Sequence, residues 1–220
     1  MKHKPIVSAE EKHLFSSGFR VTQGDHEFVT YPENTSIRIW HSDEADEYET
    51  HFHSAVEVII PLKGTVHFWT EEEMLQLKAG EIMIVPGGVR HGFRMDADSE
   101  RELLLYEPNG VFTLKEFSAF RQMMAQPIYL NVDHPCTEQL RDIFFRLIDI
   151  HRSGAMMRNM RNYALLLEAY AILGEYYLST EASAAEINSL QRQLSGEDPL
   201  RLAEVFVEKF STIVKSLQIG

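Results

Sequence analysis

Three histidines and one glutamate carry the most chemistry in this 220-residue chain. His51 and His53 flank Phe52, Glu57 follows shortly after, and His91 closes the stretch Pro86-Gly87-Gly88-Val89-Arg90-His91. Imidazole nitrogens and a carboxylate oxygen are donors that Zn²⁺, Ni²⁺, Mn²⁺ and Fe²⁺ all accept, with coordination positions left for water or a ligand. The competing reading of the same four residues is a hydrogen-bonded polar pocket floor without an ion, because a buried histidine is ordinarily satisfied by a neighbour.

Convergence of such residues needs a scaffold that folds back on itself. His51, His53 and Glu57 share one parity, so on an extended strand all three side chains project from one face. Gly64 supplies a reversal, and Gly80 opens the apolar run Ile82-Met83-Ile84-Val85, which stops at Pro86. A second hairpin-like passage then returns His91 to the inside of a β-barrel. Ile37 and Ile39 alternate with Arg38, Val56–Ile60 is a β-branched run around Glu57 with Thr65–Thr70 as its hairpin partner, and Met74–Lys78, Phe93–Met95 and Glu102–Tyr106 give further short strands. Many short strands punctuated by Gly and Pro predict a sandwich or barrel. His67, Trp69, Phe93 and Tyr106 are candidates for aromatic walls of the same cavity, with ordinary barrel packing as the alternative for each.

Beyond Pro108-Asn109-Gly110 the period changes. Leu140, Ile143, Phe144, Leu147 and His151 recur at helical spacing between Pro135 and Gly154, and a second helix is predicted from about Met156 to Leu178. Its apolar positions (Met160, Ala164, Leu167, Ala171, Gly174, Leu178) spread over a wide arc, which calls for cover on two sides, the barrel on one and a second subunit on the other. Met156, Met157 and Met160 read as core filling, with an adaptable interface as the alternative. Thr180 to Pro199, rich in Ser, Ala, Glu and Gln, reads as a partly helical linker or connector. Asp198-Pro199 then fits the cap and first turn of one more amphipathic helix through Leu202, Phe206, Phe210, Ile213 and Leu217.

The spacing of the two histidine-bearing stretches resembles the paired signature motifs of the cupin family, position for position through His51, His53, Glu57, Gly64, Gly80, Pro86, Gly88 and His91. Ala45 and Met95 stand where those motifs usually carry Gly and Asn. The resemblance implies a mainly β, double-stranded β-helix (jelly-roll) barrel with C-terminal helices, and a divalent transition metal on His51, His53, Glu57 and His91. A barrel followed by an antiparallel helix pair, a connector and a further helix is similar to the regulatory half of AraC-family transcription regulators. The segments that carry this likeness are 51–64, 79–86 and Glu102-Leu103-Leu104-Leu105-Tyr106-Glu107-Pro108. That resemblance divides the chain into a barrel with an N-terminal arm (1–112), a helical dimerisation region (113–180), and a linker with the start of a DNA-binding domain (181–220). The two helix-turn-helix units that follow in the family have no counterpart here, so either the chain is cut near residue 220 or it is a stand-alone sensor, and the ending Leu217-Gln218-Ile219-Gly220 within a helical pattern favours truncation.

Composition narrows the function classes. With 33 acidic against 21 basic residues the net charge is −12, so nucleic acid would repel this chain, and DNA contact is expected only through a C-terminal domain that the chain lacks. No stretch has the length and apolarity of a membrane span. The N-terminus has no signal-peptide core, and the single cysteine, Cys136, fits a reducing cytoplasm. The expected function is sensing of a small-molecule effector by a homodimeric regulatory domain. The alternative is a metal-dependent enzyme of the dioxygenase or isomerase type. The intact ligand set favours the enzyme; the long helical appendage and the lack of a separate acid–base pair favour the sensor.

Overall fold

The structure, a computed structural model, describes residues 20–180 except 33–34, 44, 46, 109–115 and 117–122. The expected connector, the helix beyond Pro199 and the start of a third domain therefore lie outside the described residues.

Two antiparallel sheets face each other. One has the order β11 (Ile128–Leu130), β8 (Ile82–Val85), β5 (Val56–Lys63), β10 (Glu100–Tyr106), β3 (Ile37–Ser42). The other runs β4 (Glu47–His51), β9 (His91–Met95), β6 (Thr65–Thr70), β7 (Met74–Lys78). Ile59, Met83, Val85 and Leu103 from the first meet Val66, Phe68, Leu77, Phe93 and Met95 from the second in one buried cluster. Alternation places these residues on the inner faces. The arrangement is the expected mainly β jelly-roll, formed as a sandwich of two sheets and not as a closed barrel.

The five-stranded sheet is covered on both sides. Val58, Ile60, Ile82, Ile84, Leu104 and Tyr106 point the other way, onto α1 (Thr137–Arg152) and α2 (Arg158–Thr180). This double cover explains why Val56–Pro61 has no exposed position: a strand buried on both faces loses its alternation. It also corrects the expected pairing of Thr65–Thr70 with Val56–Ile60. A central strand needs partners on both edges, and β5 finds them in β10 and β8. Gly64, at φ +71°, instead turns the chain into the opposite sheet, where β6 pairs with β7 and β9; that left-handed backbone favours glycine. The edge strand β11 was not foreseen, whereas the separate ribbon of β1 (Arg20–Gln23) with β2 (His26–Val29) forms within the region expected to be an N-terminal arm.

Helix α1 buries Leu140, Ile143, Phe144 and Leu147, as its spacing predicts. Helix α2 buries one side of its wide apolar arc and leaves the other uncovered in the single chain. Its buried face is Leu165, Leu166, Ala169, Tyr170, Leu173, Gly174 and Tyr177, whereas Ala164 and Ala171 are exposed and Met160 is 73% exposed. Apolar residues all round the helix leave its orientation to the packing of the large side chains, and the tyrosines and leucines win. Met156 and Met157, 94% and 59% exposed, likewise do not fill the core.

Candidate metal centre

His51 is the last residue of β4, His53 sits in the connection that crosses between the sheets, Glu57 is on β5 and His91 opens β9. The three residues at 51, 53 and 57 therefore do not share one extended strand, which corrects the parity argument. A register shift brings His51 inward instead. Tyr48 pairs with Phe93 and His51 with His91, so β4 fits one more residue than β9 between the two pairs. Such a bulge changes which residues face the interior, and both Tyr48 and His51 reach it. Glu57 points inward by alternation with Ile59.

The four side chains meet. One ligand-capable atom from each of His51, His53, Glu57 and His91 lies within 4.8 Å of all the others, and all four residues are buried. His53 Nε2 is 2.8 Å and His91 Nε2 3.3 Å from the same Glu57 Oε2. Neighbouring carbonyls fix the rings. Nδ1–H of His51 donates to the Glu49 carbonyl (2.8 Å), that of His53 to Ala55 (3.0 Å) and that of His91 to Val89 (2.9 Å). A carbonyl only accepts, so each Nδ1 carries hydrogen; a neutral ring then turns its Nε2 lone pair to the centre, and a protonated one can donate from Nε2 to a carboxylate there.

That arrangement fits a cation. Lone pairs of imidazole and carboxylate face one another at contact distance, which is stable only with protons or a positive ion among them. Glu57 Oε1 is buried and has no hydrogen-bond partner, an arrangement that costs free energy unless something positive takes it up. Burial alone would raise the Glu57 carboxyl, but hydrogen bonds and charge from His53 and His91 outweigh it and hold the group well below the usual carboxylate range. Burial likewise depresses His53, yet the bond to Glu57 and the Glu57 and Glu27 charges leave it raised. The residues present suit a divalent transition metal, and the donor set leaves its identity open.

Backbone at Gly87 and Gly88 locks the connection that carries His53. Gly88 N–H donates to the His53 carbonyl (2.7 Å). A Cβ on Gly87 would run into the Ser54 carbonyl. Gly87 therefore serves a close backbone approach beside a ligand, and Gly88 a left-handed backbone at φ +88°.

The aromatic residues expected around the pocket are not brought together. Phe93 faces the interior against Phe68 and Tyr48. His67 and Trp69 leave β6 on the opposite side, where His67 Nε2 pairs with Asp96 (3.0 Å) and Trp69 Nε1 donates to Thr50 (3.0 Å). Tyr106 faces the helices. Sequence reasoning also passed over Glu27, 5% exposed, whose Oε2 lies 3.4 Å from His51 Nε2. Cys136 is buried, and burial pushes its thiol up.

Residues 38–106 match the family model described as the cupin domain. This segment is a cupin domain. The match takes in His51, His53, Glu57 and His91, and leaves the ribbon and both helices outside. The cupin domain is similar to solved structures over about a third of the chain. An RmlC-like cupin from Shewanella frigidimarina is 21% identical over 33% of this chain and 68% of its own, with a TM-score of 0.30. A conserved protein of unknown function from Streptococcus pyogenes is 18% identical over 33% of this chain and 63% of its own, TM-score 0.30. The DMSP lyase DddQ from Ruegeria pomeroyi is 22% identical over 33% of this chain and 39% of its own, TM-score 0.29. No curated protein matches the chain. Among the described residues no helix is long and apolar enough to cross a membrane.

Proposed function

We propose that this chain is a metal-loaded, ligand-sensing module of a transcription regulator of the AraC type, in which a small-molecule effector bound at the cupin site biases the helix pair. One observation supports it above the others: the sheet that presents Glu57 to the site is the sheet on which the helices sit. Glu57 pairs with Leu105 of β10. The next residue, Tyr106, turns to the opposite face, where its hydroxyl meets that of Tyr170 on α2 at 2.6 Å. On the same strand Glu102 takes a two-pronged contact from Arg152 of α1, at 2.6 and 3.1 Å. A displacement of Glu57 is thus a displacement of the floor under both helices.

When bound, the metal supplies a Lewis-acid centre that holds an oxygen or nitrogen of the effector. The chain's own residues orient three Nε2 atoms, exclude water through the inner apolar layer, and pass the change in strand position to α1 and α2. The exposed side of α2, with Met160 and Ala164, is the proposed contact with a second copy, and DNA would be reached only through a further domain. Amide hydrogen exchange tests this reading: loading with Zn²⁺ or Ni²⁺ is expected to slow exchange in β10 and α2 as well as around the ligands. Slowing confined to the ligand loops would remove the route to the helices.

The second reading, a metal-dependent enzyme of dioxygenase or isomerase type, is favoured by the intactness of all four donors. Oxygen uptake or substrate turnover by metal-loaded protein would support it over the sensor.

A further inference from the structure

The β1–β2 ribbon belongs to neither sheet, yet it is fastened to the metal-bearing connection at several points. Glu27 N–H donates to the Phe52 carbonyl and Phe52 N–H to the Asp25 carbonyl, both at 2.9 Å. The His26 ring stacks on Phe52 at 4.8 Å and 9°. Asp25 pairs with Arg90. Phe52 lies between His51 and His53, and Arg90 directly precedes His91. The ribbon therefore grips the chain beside three of the four candidate ligands.

It delivers one residue into the site. On β2, Phe28 is 44% exposed, while its neighbour Glu27 is buried to 5%. Alternation sends Glu27 inward, to within 3.4 Å of His51 Nε2. This is the nitrogen left with a lone pair once His51 Nδ1–H is committed to Glu49. The Glu27 carboxylate oxygen faces that nitrogen, and one cation between them would bind both. Two donors on one transition metal, each at about 2.1 Å from it, stand roughly 3 to 4 Å apart; the Glu27–His51 separation falls in that range. Because the group within 4.8 Å of one another is His51, His53, Glu57 and His91, Glu27 must swing further inward to share their ion. Charge agrees: three neutral imidazoles with two carboxylates carry −2, which a divalent ion cancels.

Resting on the metal reading above, we propose that Glu27 is a fifth ligand, carried by the N-terminal ribbon into a coordination position that His51, His53, Glu57 and His91 leave open. The ribbon then caps the site, and an exogenous ligand gains its place on the metal by displacing Glu27.

Cobalt(II) reports coordination number directly, because its visible ligand-field bands weaken as ligands are added. Chelator-stripped wild type, Glu27→Gln, Glu27→Asp and Glu57→Gln are titrated with Co²⁺, and the thermal midpoint of each stripped protein is recorded. The expected result is that Glu27→Gln and Glu27→Asp bind Co²⁺ about tenfold or more weakly and with more intense bands, at an unchanged stripped-form midpoint. Weaker binding with the wild-type spectrum would make Glu27 a positioning residue for His51 and overturn the proposal. So would wild-type affinity and spectrum in both Glu27 variants beside metal loss in Glu57→Gln, an outcome that leaves the four-residue site standing. No Co²⁺ bound by wild type would remove the metal reading and the fifth ligand together.

Discussion

The hydroxyls of Tyr106 and Tyr170 lie 2.6 Å apart, buried between the five-stranded sheet and α2. Burial, together with each other's proximity, pushes the Tyr106 phenol well above its ordinary value, so both remain neutral and one donates to the other. Tyr170→Phe takes the partner from a fully buried hydroxyl and is expected to cost about 1–3 kcal/mol. Tyr106→Phe with Tyr170→Phe removes both polar groups and should sit closer to wild type. Chemical unfolding of the two single variants and the double variant measures this coupling.

Arg152 and Glu102 anchor α1 to the same strand. Glu102 is 4% exposed while the Arg152 side chain is about half exposed, and His41 Nδ1 also contacts Glu102 at 3.2 Å. Arg152→Met should therefore cost about 1–2 kcal/mol, less than a fully buried pair, because water screens the arginine and His41 stays. A loss above the range for exposed pairs in urea unfolding would support the anchoring role; no loss would deny it.

His151, near the C-terminal end of α1, sets a pH dependence away from the metal site. Burial, with Arg158 and Arg152 nearby, lowers its affinity for a proton below that of a free imidazole. The unfolded chain then binds the proton more readily, so stability is lost as pH falls through about 6.5 toward the folded-state value and is recovered above it. His151→Gln should flatten this segment of the stability–pH curve. An unchanged slope would assign it to another group.

On α2, Met160 is 73% exposed and Leu167 half-buried. Light scattering of the wild type is expected to give twice the monomer mass. Met160→Asp should halve it at retained helix content; Leu167→Asp should also halve it but lower the unfolding midpoint, because Leu167 packs against the core. Leu147 is unsuited to this test: it is fully buried, and a truncation there should cost about 2–5 kcal/mol of core packing.

The four donors were legible in the sequence because their spacing, with the glycines and Pro86, is a property of the chain itself. The route by which they meet was not. A one-residue bulge in β4 and a crossing between sheets leave no mark in a parity count, and both were needed to bring His51 beside Glu57. β5 was readable as a strand from its β-branched run, but its partners were not, since a doubly covered strand does not advertise its neighbours. Helix α1 followed its apolar spacing; in α2, apolar all round, the spacing left open which side meets the sheet. Glu27 escaped notice because one acidic residue between His26 and Phe28 carries no signal until the ribbon is seen to fold against Phe52.

The central claim is that His51, His53, Glu57 and His91 hold one divalent transition metal. Elemental analysis of protein purified without chelator, after metal supply during expression, tests it most directly. Near one equivalent of Zn, Ni, Mn or Fe per chain is expected, falling to background in His51→Ala with His53→Ala at retained secondary structure. Metal-free wild type under the same conditions, or an unchanged content in the double variant, would contradict it.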